Sequence, residues 1–152
     1  MKKLLSLGVS VCLVWFSLNA KDPVDWVNPF IGTTNFGTTN PGEVTPNGLM
    51  SVAPFNVMGS DINRYDKDNR WWSAPYDNTN SYFTGFSHVN LSGVGCPELS
   101  SLLVMATTGD LDVDYHNYGT TYSDEHASPG FYGLELDKYG VKAEATATAR
   151  TG

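Results

Sequence analysis

Apolar and polar positions alternate most clearly at the C-terminal end of this chain. There Val141, Ala143, Ala145, Ala147 and Ala149 interleave with Lys142, Glu144, Thr146, Thr148 and Arg150. A period of two places one set on a core and the other in water, so a strand is predicted. Alanine favours helices, but a helix would scatter Lys142, Glu144 and Arg150 around every face, and the periodicity outranks the propensity. Two short apolar runs, Leu49-Met50-Ser51-Val52-Ala53-Pro54-Phe55 and Leu102-Leu103-Val104-Met105-Ala106, have turn residues on both sides and read as buried strands. No window from Asp22 onward carries a sustained apolar stripe of helical period, and 15 glycines and eight prolines supply frequent turns. The predicted architecture is an all-β sandwich.

Residues 4–18 form a nearly continuous apolar run behind Lys2 and Lys3 and ahead of Asn19 and Ala20. This order of basic, apolar and small residues predicts a secretory signal peptide over residues 1–20, absent from the mature protein. The competing reading, a membrane anchor, needs roughly 20 apolar residues, and the run is shorter. Cys12 suggests a lipoprotein, but Val9-Ser10-Val11 lacks the small residue that precedes a lipidated cysteine. A periplasmic or secreted protein with no membrane association after cleavage is expected. The 152 residues, 41% of them hydrophobic, suffice for one compact core.

Removing Lys2 and Lys3 takes the formal charge from -7 to -9. Neutralising phosphates requires clustered Lys and Arg, and the only two arginines close together are Arg64 and Arg70, so nucleic acid is not expected as a partner. With Cys12 in the signal, Cys96 is the only cysteine left and no intramolecular disulfide can form. Stability then rests on packing.

Residues 32–48 and 60–80 lack a regular pattern and read as long surface loops. The second holds Arg64, Tyr65, Arg70, Trp71, Trp72 and Tyr76. Rings and fork-shaped donors on long loops suit sugars, because the apolar face of a pyranose stacks on an aromatic ring while its hydroxyls need paired donors and acceptors. Carbohydrate is one account of Trp71 and Trp72; capping of the core is the other. The stretch Gly85-Phe86-Ser87-His88-Val89-Asn90-Leu91-Ser92-Gly93-Val94-Gly95-Cys96-Pro97-Glu98 crowds a histidine, a cysteine, a carboxylate and three glycines into what reads as a shaped loop. His88 suits a sugar hydroxyl, having one donor and one acceptor when neutral. The other account has His88 hydrogen bonding loop carbonyls and Cys96 serving as a small buried hydrophobe.

Other chemistries find no pattern. Gly93 and Gly95 lack the third glycine of a dinucleotide fingerprint, and Ser92 lacks the preceding glycine of a nucleophile elbow. Asp110, Asp112 and Asp114 have calcium-loop spacing, but Tyr115 stands where that loop needs glycine and Thr121 where it needs a bidentate acid; they are expected on the wet face of a strand. His88, His116 and His126 are ten or more residues apart and show no zinc spacing.

Three motifs in order, Asn28-Pro29-Phe30-Ile31-Gly32-Thr33, Asn40-Pro41-Gly42-Glu43-Val44-Thr45-Pro46-Asn47-Gly48-Leu49-Met50 and the stretch from Gly85 to Glu98, give residues 22–152 a sequence that resembles the N-terminal domain of the glycoside hydrolase family 92 α-mannosidases. The resemblance implies an N-terminal β-sandwich joined to a larger (α/α)6-barrel domain that is missing here, so that this domain is cut at its C-terminal end. It implies calcium dependence and removal of terminal α-linked mannose, with α-1,2 the expected linkage, from N-glycans or mannans with inversion. Acid, base and calcium would belong to the barrel domain, with no metal bound by residues 22–152. This domain would supply wall residues of the sugar pocket, for which the candidates are Phe36, Arg64, Arg70, Trp71, Trp72, His88 and Cys96. Inversion needs two carboxyl groups roughly 6.5 to 9.5 Å apart. Glu43 stands where the family is expected to have alanine, so a surface role is assigned to it. The alternative function is a non-enzymatic carbohydrate-binding β-sandwich module.

Overall fold

The computed structural model describes residues 21–34, 37, 39–58, 74–90 and 101–152. A 3-10 turn at Pro23–Trp26 leads into eight strands: β1 (Glu43–Val44), β2 (Ser51–Phe55), β3 (Tyr82–Phe83), β4 (Gly85–His88), β5 (Leu102–Val104), β6 (Thr120–Ser128), β7 (Phe131–Leu136) and β8 (Val141–Ala145). One helical turn, α1 (Tyr115–Tyr118), precedes β6. The strands form two four-stranded sheets, ordered β1-β2-β4-β5 and β3-β6-β7-β8, with every pairing antiparallel. Among the described residues no helix is long and apolar enough to cross a membrane.

The chain changes sheets between β3 and β4 within a single residue. Thr84 makes the corner, its N–H and Oγ1 both donating to the Phe55 carbonyl at 3.0 and 3.2 Å. Gly85 follows at φ 146°, and a Cβ there would lie 2.7 Å from the Val104 carbonyl oxygen. A residue without a side chain meets both the backbone and the space requirement. Between the sheets lie Phe83, Tyr132, Leu134 and Leu136, with Phe86 edge-on to Phe83 at 5.1 Å and to Tyr132 at 6.0 Å. These aromatic contacts join one sheet to the other.

β6 is interrupted by a bulge. Its register with β7 shifts between Ser123 and His126, and Asp124 takes φ 49°. The extra residue reverses the alternation and turns Glu125 inward, where Tyr76 Oη and Tyr132 Oη donate to its Oε1 at 2.8 and 2.6 Å. Burial is the main reason both phenols are pushed well above their ordinary pKa, with the Glu125 charge adding to it. On the outer face the His126 ring lies over Gly133, where a Cβ would come within 2.7 Å of it.

Several local expectations are corrected. The period-two segment is a strand, but it ends at Ala145. The run from Leu102 forms the outer strand of its sheet, with Leu102 and Val104 exposed, because no further described strand covers that edge. Gly85 to His88 is not loop: it is β4, paired on both sides with β2 and β5. The segment 32–48 is not wholly on the surface, since Thr33, Pro41 and Glu43 are buried. Asp110, Asp112 and Asp114 lie on no strand. Asp112 Oδ1 accepts from the Asp114 N–H, and Asp114 caps α1 by accepting from the His116 N–H at 3.0 Å, which holds the Asp114 carboxyl below its usual range.

Candidate functional site

Antiparallel register aligns four residues across the first sheet: Glu43 opposite Val52, Val52 opposite His88, and His88 opposite Leu102. Directly paired residues share a face, so Glu43 and His88 flank Val52 with about 10 Å between their backbones, twice the spacing of neighbouring strands. The same parity puts Pro54 and Phe86 on this face, which is therefore the one turned to the other sheet. The chain returns here at its far end: Leu49 N–H donates to the Ala149 carbonyl at 2.9 Å, and a Cβ on Gly152 would run into the Val52 side chain.

Glu43 is 3% exposed, which corrects its assignment to the surface. The Gly130 backbone, in the turn between β6 and β7 of the opposite sheet, favours the charged form of the Glu43 carboxyl. Burial raises its pKa from 4.5 to about 7, the Gly130 backbone opposing the shift. His88 is partly buried, and its Nδ1 is shielded from solvent with no hydrogen-bond partner among the described residues.

Next to this row a groove of about 560 Å³ runs along β1, bordered by Asn40, Glu43, Met50, Ser51, Val89 and Asn90 among others. Its far wall is shaped by constrained backbone. Val89 sits at φ 58°, uncommon for a β-branched residue, while its N–H donates to the Ser51 carbonyl at 3.0 Å. Asn90 Nδ2 donates to Ser87 Oγ, and Ser87 Oγ donates to the Ala53 carbonyl at 3.3 Å. Asn40 Oδ1 receives the Gly42 N–H at 2.9 Å, closing the turn that delivers the chain to β1. Beyond the other end of β2 Asn56 is a fully buried hub: its Nδ2 donates to the Asp77 and Asn80 carbonyls and to Tyr122 Oη, and its Oδ1 accepts from the Asp77 N–H.

Of the seven wall candidates only His88 lies within the described residues; Phe36, Arg64, Arg70, Trp71, Trp72 and Cys96 lie outside them, as does Glu98. The residue that sequence reasoning missed is Glu43. Its signal was position: directly after a tight Asn-Pro-Gly turn and one residue before an apolar Val44, on a strand whose partner Val52 faces inward. Among the described residues no three His, Cys, Asp or Glu side chains gather as a metal ligand set.

Two antiparallel sheets in face-to-face contact, with a polar groove at one end, define the class as a β-sandwich domain. The profile of the Glycosyl hydrolase family 92 N-terminal domain matches residues 26–152. The chain belongs to that family, matching its N-terminal domain. Among solved structures, the family GH92 alpha-mannosidase BT3965 from Bacteroides thetaiotaomicron is 34% identical with a TM-score of 0.68, over 83% of this chain and 17% of its own. The gh92 family glycosyl hydrolase ccman5 is 30% identical with a TM-score of 0.64, over 84% and 18%. The inverting mannosidase BT2199 from Bacteroides thetaiotaomicron, at 22% identity and a TM-score of 0.58, shares the fold. The chain thus spans about a sixth of the length of these solved relatives. No curated protein matches it.

Proposed function

We propose that this chain is the N-terminal sandwich domain of an exported, calcium-dependent α-mannosidase that removes terminal α-linked mannose, with α-1,2 as the preferred linkage. The observation that carries the reading is the family match over residues 26–152, together with 34% identity to an alpha-mannosidase of the same family. A second structure of that relative holds mannoimidazole, which supports mannosyl groups as the ligand class. Export rests on the basic, apolar and small-residue order of residues 1–20. Periplasmic or extracellular glycans, N-glycans or mannans, are then the substrates within reach.

In this reading the domain furnishes one wall of the sugar pocket, with His88 among its contacts. A neutral imidazole offers one donor and one acceptor, which suits a sugar hydroxyl. Acid, base and calcium belong to the remainder of the longer enzyme, as the resemblance to family 92 implies. The test is mannose release from α-1,2-mannobiose, with and without a chelator, by the 152-residue chain and by the longest product of the gene. Release is expected only from the longer product and only without chelator. Chelator-sensitive release by the 152-residue chain would overturn this division of labour.

A further inference from the structure

Glu43 is the only carboxylate among the buried residues described. A carboxyl group has two oxygens and, when neutral, one O–H donor. No hydrogen bond to the Glu43 side chain is found among the described residues, where only the Gly130 backbone favours its charge. Buried hydrogen-bonding capacity is normally satisfied. The bordering groove holds the means to satisfy it, because its volume of about 560 Å³ lies in the range of small-molecule sites. Its lining mixes Asn40, Ser51 and Asn90 with Val44, Leu49 and Met50. That mixture suits a pyranose, whose edge is a ring of hydroxyls and whose faces are C–H.

We infer that the groove along β1 is a saccharide subsite, in which the Glu43 carboxyl hydrogen bonds a ligand hydroxyl and decides which saccharides the groove accepts. The inference rests on the mannosidase reading for its ligand class and adds to it a named contact and a place. Because burial favours the protonated acid, Glu43 both donates and accepts there, and it suits a neutral hydroxyl better than a cation. A site that bonds a hydroxyl discriminates against the analogue lacking it, since the buried group is then left unpaired.

The experiment is an NMR titration of the 15N-labelled 152-residue chain, and of its Glu43→Gln and Glu43→Ala variants, with methyl α-D-mannopyranoside and its deoxy analogues. Shift changes are expected at Thr39, Asn40, Ser51, Val89 and Asn90. Glu43→Ala should weaken binding about tenfold, the loss expected for one buried hydrogen bond left unmade. Glu43→Gln keeps the shape and one acceptor oxygen, so it serves as the folded control. It should lose part of the discrimination against one deoxy sugar. Saccharide shifts elsewhere, with both folded variants binding as the parent does, would overturn the inference and leave the mannosidase reading standing. No shift with any saccharide, with the parent folded, would also overturn the inference, while the mannosidase reading is tested separately by mannose release from the longer product.

Discussion

The β6–β8 hairpins and the β1–β2–β4 end of the facing sheet bury their interiors by different means. In the hairpins the buried side chains are Tyr132, Leu134 and Leu136, and β7 runs in continuous register with β8 from Tyr132↔Ala145 to Leu136↔Val141. At the other end Thr33, Glu43, Asn56 and Ser87 are buried beside Val52 and Ala53. Apolar burial stabilises the first region without regard to direction. The second depends on each polar group meeting a partner, so its geometry is more specific and its failures cost more per group. A groove lined by hydrogen-bonding groups is found where the interior is polar.

The largest expected effect is on the apolar side. Leu134→Ala, at a position 2% exposed, should destabilise the chain by about 3 kcal/mol in urea unfolding, through lost burial and the cavity left behind. A cost below about 1 kcal/mol would show that the hairpins are not the stabilising half. Next is the polar hub. Asn56→Ala strands the Asp77 N–H and removes a donor to two carbonyls and to Tyr122 Oη, for an expected loss of about 2 kcal/mol. Near-neutral behaviour would mean that water replaces those bonds and that the comparison fails.

The smallest effect is pH-dependent. The folded state raises the pKa of Glu43 from 4.5 to about 7, so it binds that proton more tightly than the unfolded chain does. The stability this contributes is fully present below about pH 4.5 and is lost as pH rises through about 7. Water in the adjoining groove screens the charge, so the contribution is on the order of 1 kcal/mol. Urea midpoints at pH 5 and pH 8 should therefore differ more in the parent than in Glu43→Gln. Equal differences would place the carboxyl in solvent and weaken the contrast between the two regions.

Much of the fold was legible because one period repeats. The alternation from Val141 onward predicts a half-buried strand, and β8 carries it, with Val141, Ala143 and Ala145 turned inward. The apolar run at Val52 predicts β2 for the same reason. Legibility fails where a single residue changes the parity. The bulge at Asp124 turns Glu125 to the interior, and the corner at Thr84 sends adjacent residues into different sheets. Glu43 shows the same limit at the candidate site: a glutamate after a Gly-rich turn reads as exposed until strand pairing sets its face. For Phe36, Arg64, Arg70, Trp71, Trp72 and Cys96, all outside the described residues, the sequence reading stands as an expectation.

By itself the sequence determined the all-β class, the strand-forming segments at Val52 and Val141, and the three motifs that resemble family 92. These depend on local periodicity and on residue order, which need no partner to be read. Only the tertiary structure decided that Glu43 and His88 share a face, that Gly130 reaches across from the other sheet to Glu43, and that a groove opens beside them. Facing and burial are properties of pairing between segments far apart in the chain, and a one-residue shift of register would reverse them.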